Sequence, residues 1–361
     1  MPTRSVHQVV IGASTRDAIT NMSLALRQAI RRRITDSNVY AYLGGDHTIT
    51  DEVIHMDAMP LGTDEDVVVY HSSFGQPGLT PKLLERPERL VLVYHNITPW
   101  QYYENVDIEF ASGLKWGREE LAMLRDKVAA AFAVSEFNAH DLVQYGYQNV
   151  TVIPAGLRPR HINEHTIDVK LLGELRSHFP HGFVLFVSQV LPHKRVELAL
   201  EAIHLLRSVH GLDIGLVIAG PARRPAYFKD VLRMRDKLPE AHVLFAGEVT
   251  DQQLATLYRA CRVYVGTSDH EGLAVPPLEA MASGAPVVVR GCGAVPDTVG
   301  DAALVIPATA GVCELTEGIA HVLRDRDLRA HLRMRGYRRV KEVESMNPTE
   351  EFMRAMEPLL S

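Results

Sequence analysis

Ten short apolar runs punctuate this chain, and nearly all are followed by segments whose apolar residues recur at helical spacing. HQVVI at 7–11, VVVYH at 67–71, LVLVYH at 90–95, AAAFAVS at 129–135 and VTVIP at 150–154 fill the first half. FVLFVS at 183–188, IGLVIAG at 214–220, HVLFAG at 242–247, RVYVG at 262–266 and PVVV at 286–289 fill the second. Runs this short and continuously apolar suit strands buried on both faces, and helices between them make those strands parallel. The pattern therefore predicts an α/β chain of doubly wound, Rossmann-like sheets. At 361 residues the chain exceeds the size at which one core stops growing, so two such domains are expected. Ala155–Thr166, with a glycine, a proline and no apolar period, reads as the linker. The expected division is 1–165, 166–345 and a terminal helix in 346–361, beyond the break at Asn347-Pro348.

Composition narrows the function. A net charge of -6 argues against nucleic acid as a partner. No apolar run approaches the roughly 18 residues that span a bilayer, and the first residues lack a signal-peptide pattern, which points to a cytoplasmic protein. Arg27, Arg31, Arg32 and Arg33 at the end of the first helix read as a solvated, dipole-compensating cluster. Weak peripheral contact with the inner face of a membrane is the alternative. Cys261, Cys292 and Cys313 are too far apart for a zinc site, and no histidine cluster has ligand spacing, so no metal or other cofactor is expected. Asp64-Glu65-Asp66 precedes a strand instead of following one and reads as a solvated loop.

The densest chemistry lies in SDHEGLAVPPLEAMASGAPVVV, Ser268 to Val289. Glu271 and Gly272 occupy a loop, a short helix is expected to open at Pro277 and stop at Gly284, and Glu279 falls in its first turn. A helix N-terminus attracts a phosphate or diphosphate. Carboxylates on either side suit hydroxyl groups, although Glu279 also reads as an ordinary dipole-stabilising charge.

These residues resemble the signature of retaining GT-B glycosyltransferases of the family-4 type, E-G-F-G-L-P-x-x-E-A-M-A-x-G-x-P-V-V. Glu271, Gly272, Pro276, Glu279, Ala280, Met281, Ala282, Gly284, Pro286, Val287 and Val288 match, whereas Leu273 and Ala274 replace the aromatic and the second glycine. The resemblance implies two Rossmann-like domains facing a deep cleft that binds a sugar nucleotide. It also implies that Glu271 holds hydroxyls of the transferred sugar and Glu279 the ribose. Upstream, FVSQVLPHKRVELALEA lies where the family has V-G-R-L-x-x-x-K-G: Lys194 matches the lysine, and Gln189 stands for the arginine. An amide carries no charge, so His193 or Arg195 must compensate, or leaving-group stabilisation is weaker. Base contacts in the family come from main chain near Gly247–Thr250, which makes Glu248 and Val249 donor candidates. Gly12, at the first strand-to-helix turn, is a further one.

In the first half, His71 emerges at the end of VVVYH, and His95 and Asn96 at the end of LVLVYH, the strand edge where open α/β sheets bind ligands. Y-H-N-I-T-P at 94–99 is similar to a stretch of sugar-polymer transferases, which implies that His95 reaches the transferred sugar and its phosphate. A buried histidine satisfied by backbone is the structural alternative. Tyr102, Tyr103 and Trp116, in a segment without clear period, suit either stacking on an acceptor or packing.

The expected catalytic residues are thus His95, Lys194 and Glu271. The expected donor-binding residues are Gly12, Gln189, Lys194, Glu248, Val249, Gly272, Leu273, Ala274 and Glu279. His71, Asn96, Tyr102 and Tyr103 are the acceptor candidates. The implied activity is metal-independent transfer of a hexose, with retention, from a nucleotide-diphosphate sugar to a glycan, a lipid-linked sugar or a small-molecule acceptor. The rival readings are a glycosidase, a sugar-nucleotide epimerase of related fold, and a non-catalytic sugar-nucleotide-binding protein.

Overall fold

A computed structural model describes residues 5–14, 17–44, 52–153 and 157–360. The chain forms two compact units, Met1–Gly156 with Met346–Ser361, and Leu157–Ser345.

The first unit is built on a parallel sheet of β1 (Val6–Val10), β2 (Val39–Ala41), β3 (Val53–His55), β4 (Val67–Ser72), β5 (Arg89–Tyr94), β6 (Val128–Ala133) and β7 (Thr151–Val152), in the order β3-β2-β1-β4-β5-β6-β7. The order reverses direction between β1 and β4, the doubly wound arrangement. In the second unit β8 (Phe183–Val187), β9 (Gly215–Ala219), β10 (Val243–Gly247), β11 (Val263–Gly266), β12 (Val287–Gly291) and β13 (Leu304–Pro307) are ordered β10-β9-β8-β11-β12-β13, again all parallel.

Alternation explains the continuous apolar runs. Leu185 of β8 packs on one face of the second sheet with Val217, Tyr264 and Val287, while Val184 and Phe186 pack on the other with Ile218, Val265 and Val288. Both faces are covered, so both parities are mostly apolar.

Several expectations need correction. The segment read as lacking a clear period forms a helix from Ile108 to Leu124, with Asp107 as its cap, because apolar Ala111, Leu114, Leu121 and Leu124 extend one buried stripe. Trp116 therefore lies on a helix, and its indole donates to Thr80 Oγ1. The expected linker is partly docked: Pro159–Glu164 forms a helical turn of the second unit, where Asn163 Nδ2 donates to the Ala282 carbonyl. Pro154, Ala155 and Gly156 lie outside the described residues. The four arginines are not one solvated face. Arg27 is buried and bonds the Glu52 carbonyl and carboxylate, Arg31 bonds the Ser37 carbonyl, and Arg33 pairs with Glu357. Asp66 is buried too, accepting from Ser5 and Thr63 as a fastener between the start of β1 and the loop before β4.

Candidate functional site

Within the second unit the chemistry gathers at the C-terminal ends of β8, β11 and β12. β8 gives way to Ser188 and the exposed Gln189, then to a tight turn at Pro192–Lys194. Arg195 follows in the left-handed region (φ 51°) and aims the chain into the helix Val196–Ser208. This turn is stitched to the loop after β11: the Thr267 hydroxyl reaches the Lys194 and Arg195 carbonyls at 2.9 and 2.8 Å, and the Asp269 amide donates to the His193 carbonyl at 2.8 Å.

Lys194 and Glu271 are thereby brought together. Lys194 Nζ donates to Glu271 Oε1 at 2.7 Å, and Ser268 Oγ donates to the same oxygen at 2.7 Å. These two residues, with Ser188, Ala274 and Pro277, line a cavity of about 30 Å³, room for about one water. The loop carrying Glu271 is fixed from behind, since the Ala294 amide donates to the Glu271 carbonyl at 2.9 Å. Gly293 makes that approach possible: its φ is +51°, and a Cβ there would sit 2.2 Å from the Glu271 carbonyl oxygen.

The helix after this loop is Val275–Ala282, two residues earlier than expected. Two consequences follow. Pro276 and Pro277 carry no N–H, so of the first three helical positions only Val275 supplies a backbone donor, and an anion here depends on the preceding loop amides of Gly272, Leu273 and Ala274. Glu279 is the fifth helical residue and not in the first turn, which removes its reading as a dipole-stabilising charge. It instead accepts a hydrogen bond from Tyr258 Oη at 2.8 Å. Burial pushes its carboxyl above the usual range, and that bond opposes the shift.

Neither expected substitute for the missing arginine is available as such. Arg195 is held by Glu197 and by Asp269 Oδ2, each at 2.6 Å. His193 is buried, and desolvation, with Lys194 and His270 adding to it, holds it neutral at ordinary pH. The other carboxylate oxygen of Asp269 pairs with Arg290, a residue the sequence reading passed over along with Tyr258, Ser268 and Gly293. Glu248 and Val249 occupy the loop between β10 and the capped helix Asp251–Ala260, Glu248 exposed and Val249 half-buried.

In the first unit, His71 and His95 end adjacent strands and touch: His71 Nδ1 lies 2.9 Å from His95 Nε2, with the rings stacked 5.2 Å apart. His71 Nε2 lies 2.9 Å from Gln8 Oε1, and Gln8 Nε2 donates to the Ser23 carbonyl at 2.9 Å. Desolvation pushes His95 down to about 3, and His71 well below the histidine range with His95 adding to the effect. His71 is fully buried and so is corrected from acceptor contact to internal support. Tyr103 is corrected likewise: its ring is core, edge-on to Phe110 at 4.8 Å. Tyr102 stays half-buried. Asn96 takes a left-handed conformation (φ 83°) and donates to Asn138 Oδ1 at 2.9 Å. Gly12 has ample space, an added Cβ meeting only the Gly44 carbonyl at 4.0 Å. Gln8 was legible in principle as the polar residue inside the first apolar run.

Two parallel, doubly wound units with polar side chains at the carboxyl edges of their strands define the α/β GT-B class. Residues 178–339 match the family described as Glycosyl transferases group 1. The Escherichia coli O-antigen chain mannosyltransferase B is 30% identical over 176 residues, 48% of this chain and 45% of that protein. The serotype-specific mannosyltransferase WbdA of Escherichia coli is 27% identical over 182 residues, 48% of this chain and 22% of that one. The chain thus spans less than half the length of these curated relatives. Among solved structures, Anabaena HepE in complex with UDP and glucose has a TM-score of 0.72 at 17% identity, covering 98% of this chain and 100% of that one. WaaG, described as a glycosyltransferase involved in lipopolysaccharide biosynthesis, has a TM-score of 0.66 at 16% identity over 96% of this chain and 98% of that one.

Proposed function

We propose that this protein is a retaining glycosyltransferase that moves a hexose, such as mannose or glucose, from a nucleotide-diphosphate sugar to a glycan, lipid-linked or small-molecule acceptor. The observation that carries the reading is the joined Lys194–Glu271 pair at the carboxyl edge of the second sheet, inside the segment that matches group 1 glycosyltransferases. Lys194 neutralises charge growing on the departing diphosphate, with the loop amides from Gly272 to Val275 beside it. Glu271 accepts from hydroxyls of the transferred sugar, and Glu279, positioned by Tyr258, accepts from the ribose. His95 is assigned to the transferred sugar. The reaction needs no metal, because the cationic ammonium does that work. The mannosyltransferase names of the relatives favour mannose as the hexose, and the O-antigen chain in the name of one of them favours a glycan acceptor and action in the cytoplasm.

A non-catalytic nucleotide-sugar binder is the second reading, favoured by Gln189, an uncharged and exposed residue with neither Arg195 nor His193 in its place.

Thermal unfolding with UDP, GDP, ADP and TDP in the presence of chelator, for wild type and Glu279→Ala, tests donor binding. A nucleotide at 100 times its dissociation constant stabilises by about 2.7 kcal/mol. One nucleotide is expected to raise the wild-type midpoint and to lose most of that effect in the variant. No response to any of the four would defeat the reading. Given a response, turnover of the matching sugar nucleotide separates enzyme from binder, and Gln189→Arg is expected to raise it.

A further inference from the structure

We infer that Gln8 and His71 act as positioning residues that lock His95 into one neutral tautomer, with Nε2–H donating inward and Nδ1 presenting a lone pair, so that His95 recognises a hydroxyl and not a phosphate oxygen. The direction of the chain follows from donors and acceptors alone. Gln8 Nε2 donates to the Ser23 carbonyl, which fixes the amide orientation and leaves Oε1, an acceptor only, facing His71 Nε2. His71 must therefore carry its proton on Nε2. A neutral His71 then has a bare Nδ1, and the 2.9 Å contact to His95 Nε2 requires the proton there to be His95's own. The remaining nitrogen of His95, Nδ1, is an acceptor, and it has no hydrogen-bond partner among the described residues.

Both rings are kept neutral by their surroundings. His71 is fully buried, no carboxylate joins the Gln8–His71–His95 line, and a proton added to His71 Nδ1 would face the His95 Nε2–H. β1, β4 and β5, which are neighbours in the sheet, hold the three side chains in line. A bare Nδ1 accepts from a sugar hydroxyl. It repels the oxygens of a phosphate, which also only accept. The ligand side of this inference rests on the donor reading above and separates two roles that resemblance left combined, the sugar and its phosphate.

The test is direct. In protein labelled with ¹⁵N, two-bond ¹H–¹⁵N correlation spectra at pH 7.5 distinguish protonated from bare imidazole nitrogens, with His71→Asn and His95→Asn assigning the signals. His95 is expected to show a protonated Nε2 and a bare Nδ1, and His71 the same. A protonated His95 Nδ1 in the wild type overturns the inference. Gln8→Met, similar in size but without the acceptor, is expected to release the lock and populate the Nδ1–H form of His95. Wild-type signals in that variant would show that Gln8 does not set the tautomer. GDP-mannose and UDP-glucose are then compared with GDP and UDP by calorimetry. The wild type is expected to gain affinity from the sugar, and Gln8→Met to lose about tenfold of that gain, one neutral hydrogen bond. An equal loss with the free nucleotide would assign His95 to the phosphate instead and refute the hydroxyl role. If the wild type binds none of the four, the donor reading fails, and the lock is judged on the nitrogen signals alone.

Discussion

Single residues here carry opposite instructions depending on what surrounds them. Glu120 is fully buried and, among the described residues, pairs with no cation: Tyr70 Oη and Thr80 Oγ1 donate to its two oxygens at 2.7 and 2.8 Å. Desolvation raises it from 4.5 to about 7 despite those bonds. A carboxyl raised on folding binds its proton more tightly in the native state, so stability is highest below the unfolded value and declines as pH rises from about 4.5 to about 7. Glu120→Gln removes the ionisation and keeps an acceptor for Tyr70. The variant should match wild type in urea at pH 4.5 and exceed it at pH 8 by up to about 3 kcal/mol. A pH-independent difference would place the cost of Glu120 elsewhere. Glu271 differs because Lys194 and Ser268 both donate to it, and Glu279 because a tyrosine does. The sequence identifies each as an acid. Only the fold says which one is paired with a cation and which is merely hydrogen-bonded.

At the scale of elements, the site is a set of turns fastened to one another. The turn at Pro192–Arg195 hangs on Thr267 and Asp269, and the Glu271 loop leans on Gly293 and Ala294. Gly293→Ala adds a Cβ 2.2 Å from a carbonyl oxygen at a backbone angle that alanine resists. We expect a loss of about 2–3 kcal/mol in unfolding experiments, with the nucleotide response of the wild type weakened because the loop amides from Gly272 to Ala274, which follow Glu271, are displaced. A variant that melts normally and still responds would show that this contact does not set the loop. The helix Val275–Ala282 gives the clearest lesson about legibility. Its prolines correctly announced a helix start, but proline is tolerated throughout the first turn, so the boundary slipped by two residues and Glu279 changed its role. The helix Ile108–Leu124 carries glycines at 113 and 117 on one face. They are there because Phe74 and Gly75 pack directly against them.

For the whole molecule, the last helix is the informative element. Pro348–Leu360 is far in sequence from the first unit yet counts as part of it: Phe352, Met353 and Met356 are buried there, and the Phe352 and Phe132 rings lie 5.1 Å apart. Deleting 346–361 uncovers those partners, at a cost on the order of 5 kcal/mol for three large apolar side chains. Limited proteolysis should then digest the first unit while a fragment close to 157–345 persists; equal resistance of both units to the truncation would refute that. The alternation of apolar runs and helical segments by itself determined two parallel, doubly wound sheets, because strands buried on both faces are apolar at most positions. The Glu271–Glu279 stretch was legible for a similar reason, since tight turns and helix starts admit few residue types. Tertiary structure alone decided that Lys194 meets Glu271 across 77 positions, that His71 supports His95 from within, and that Tyr103 and Arg27 are buried. Such contacts depend on where strand ends meet in space, and local sequence does not encode that distance.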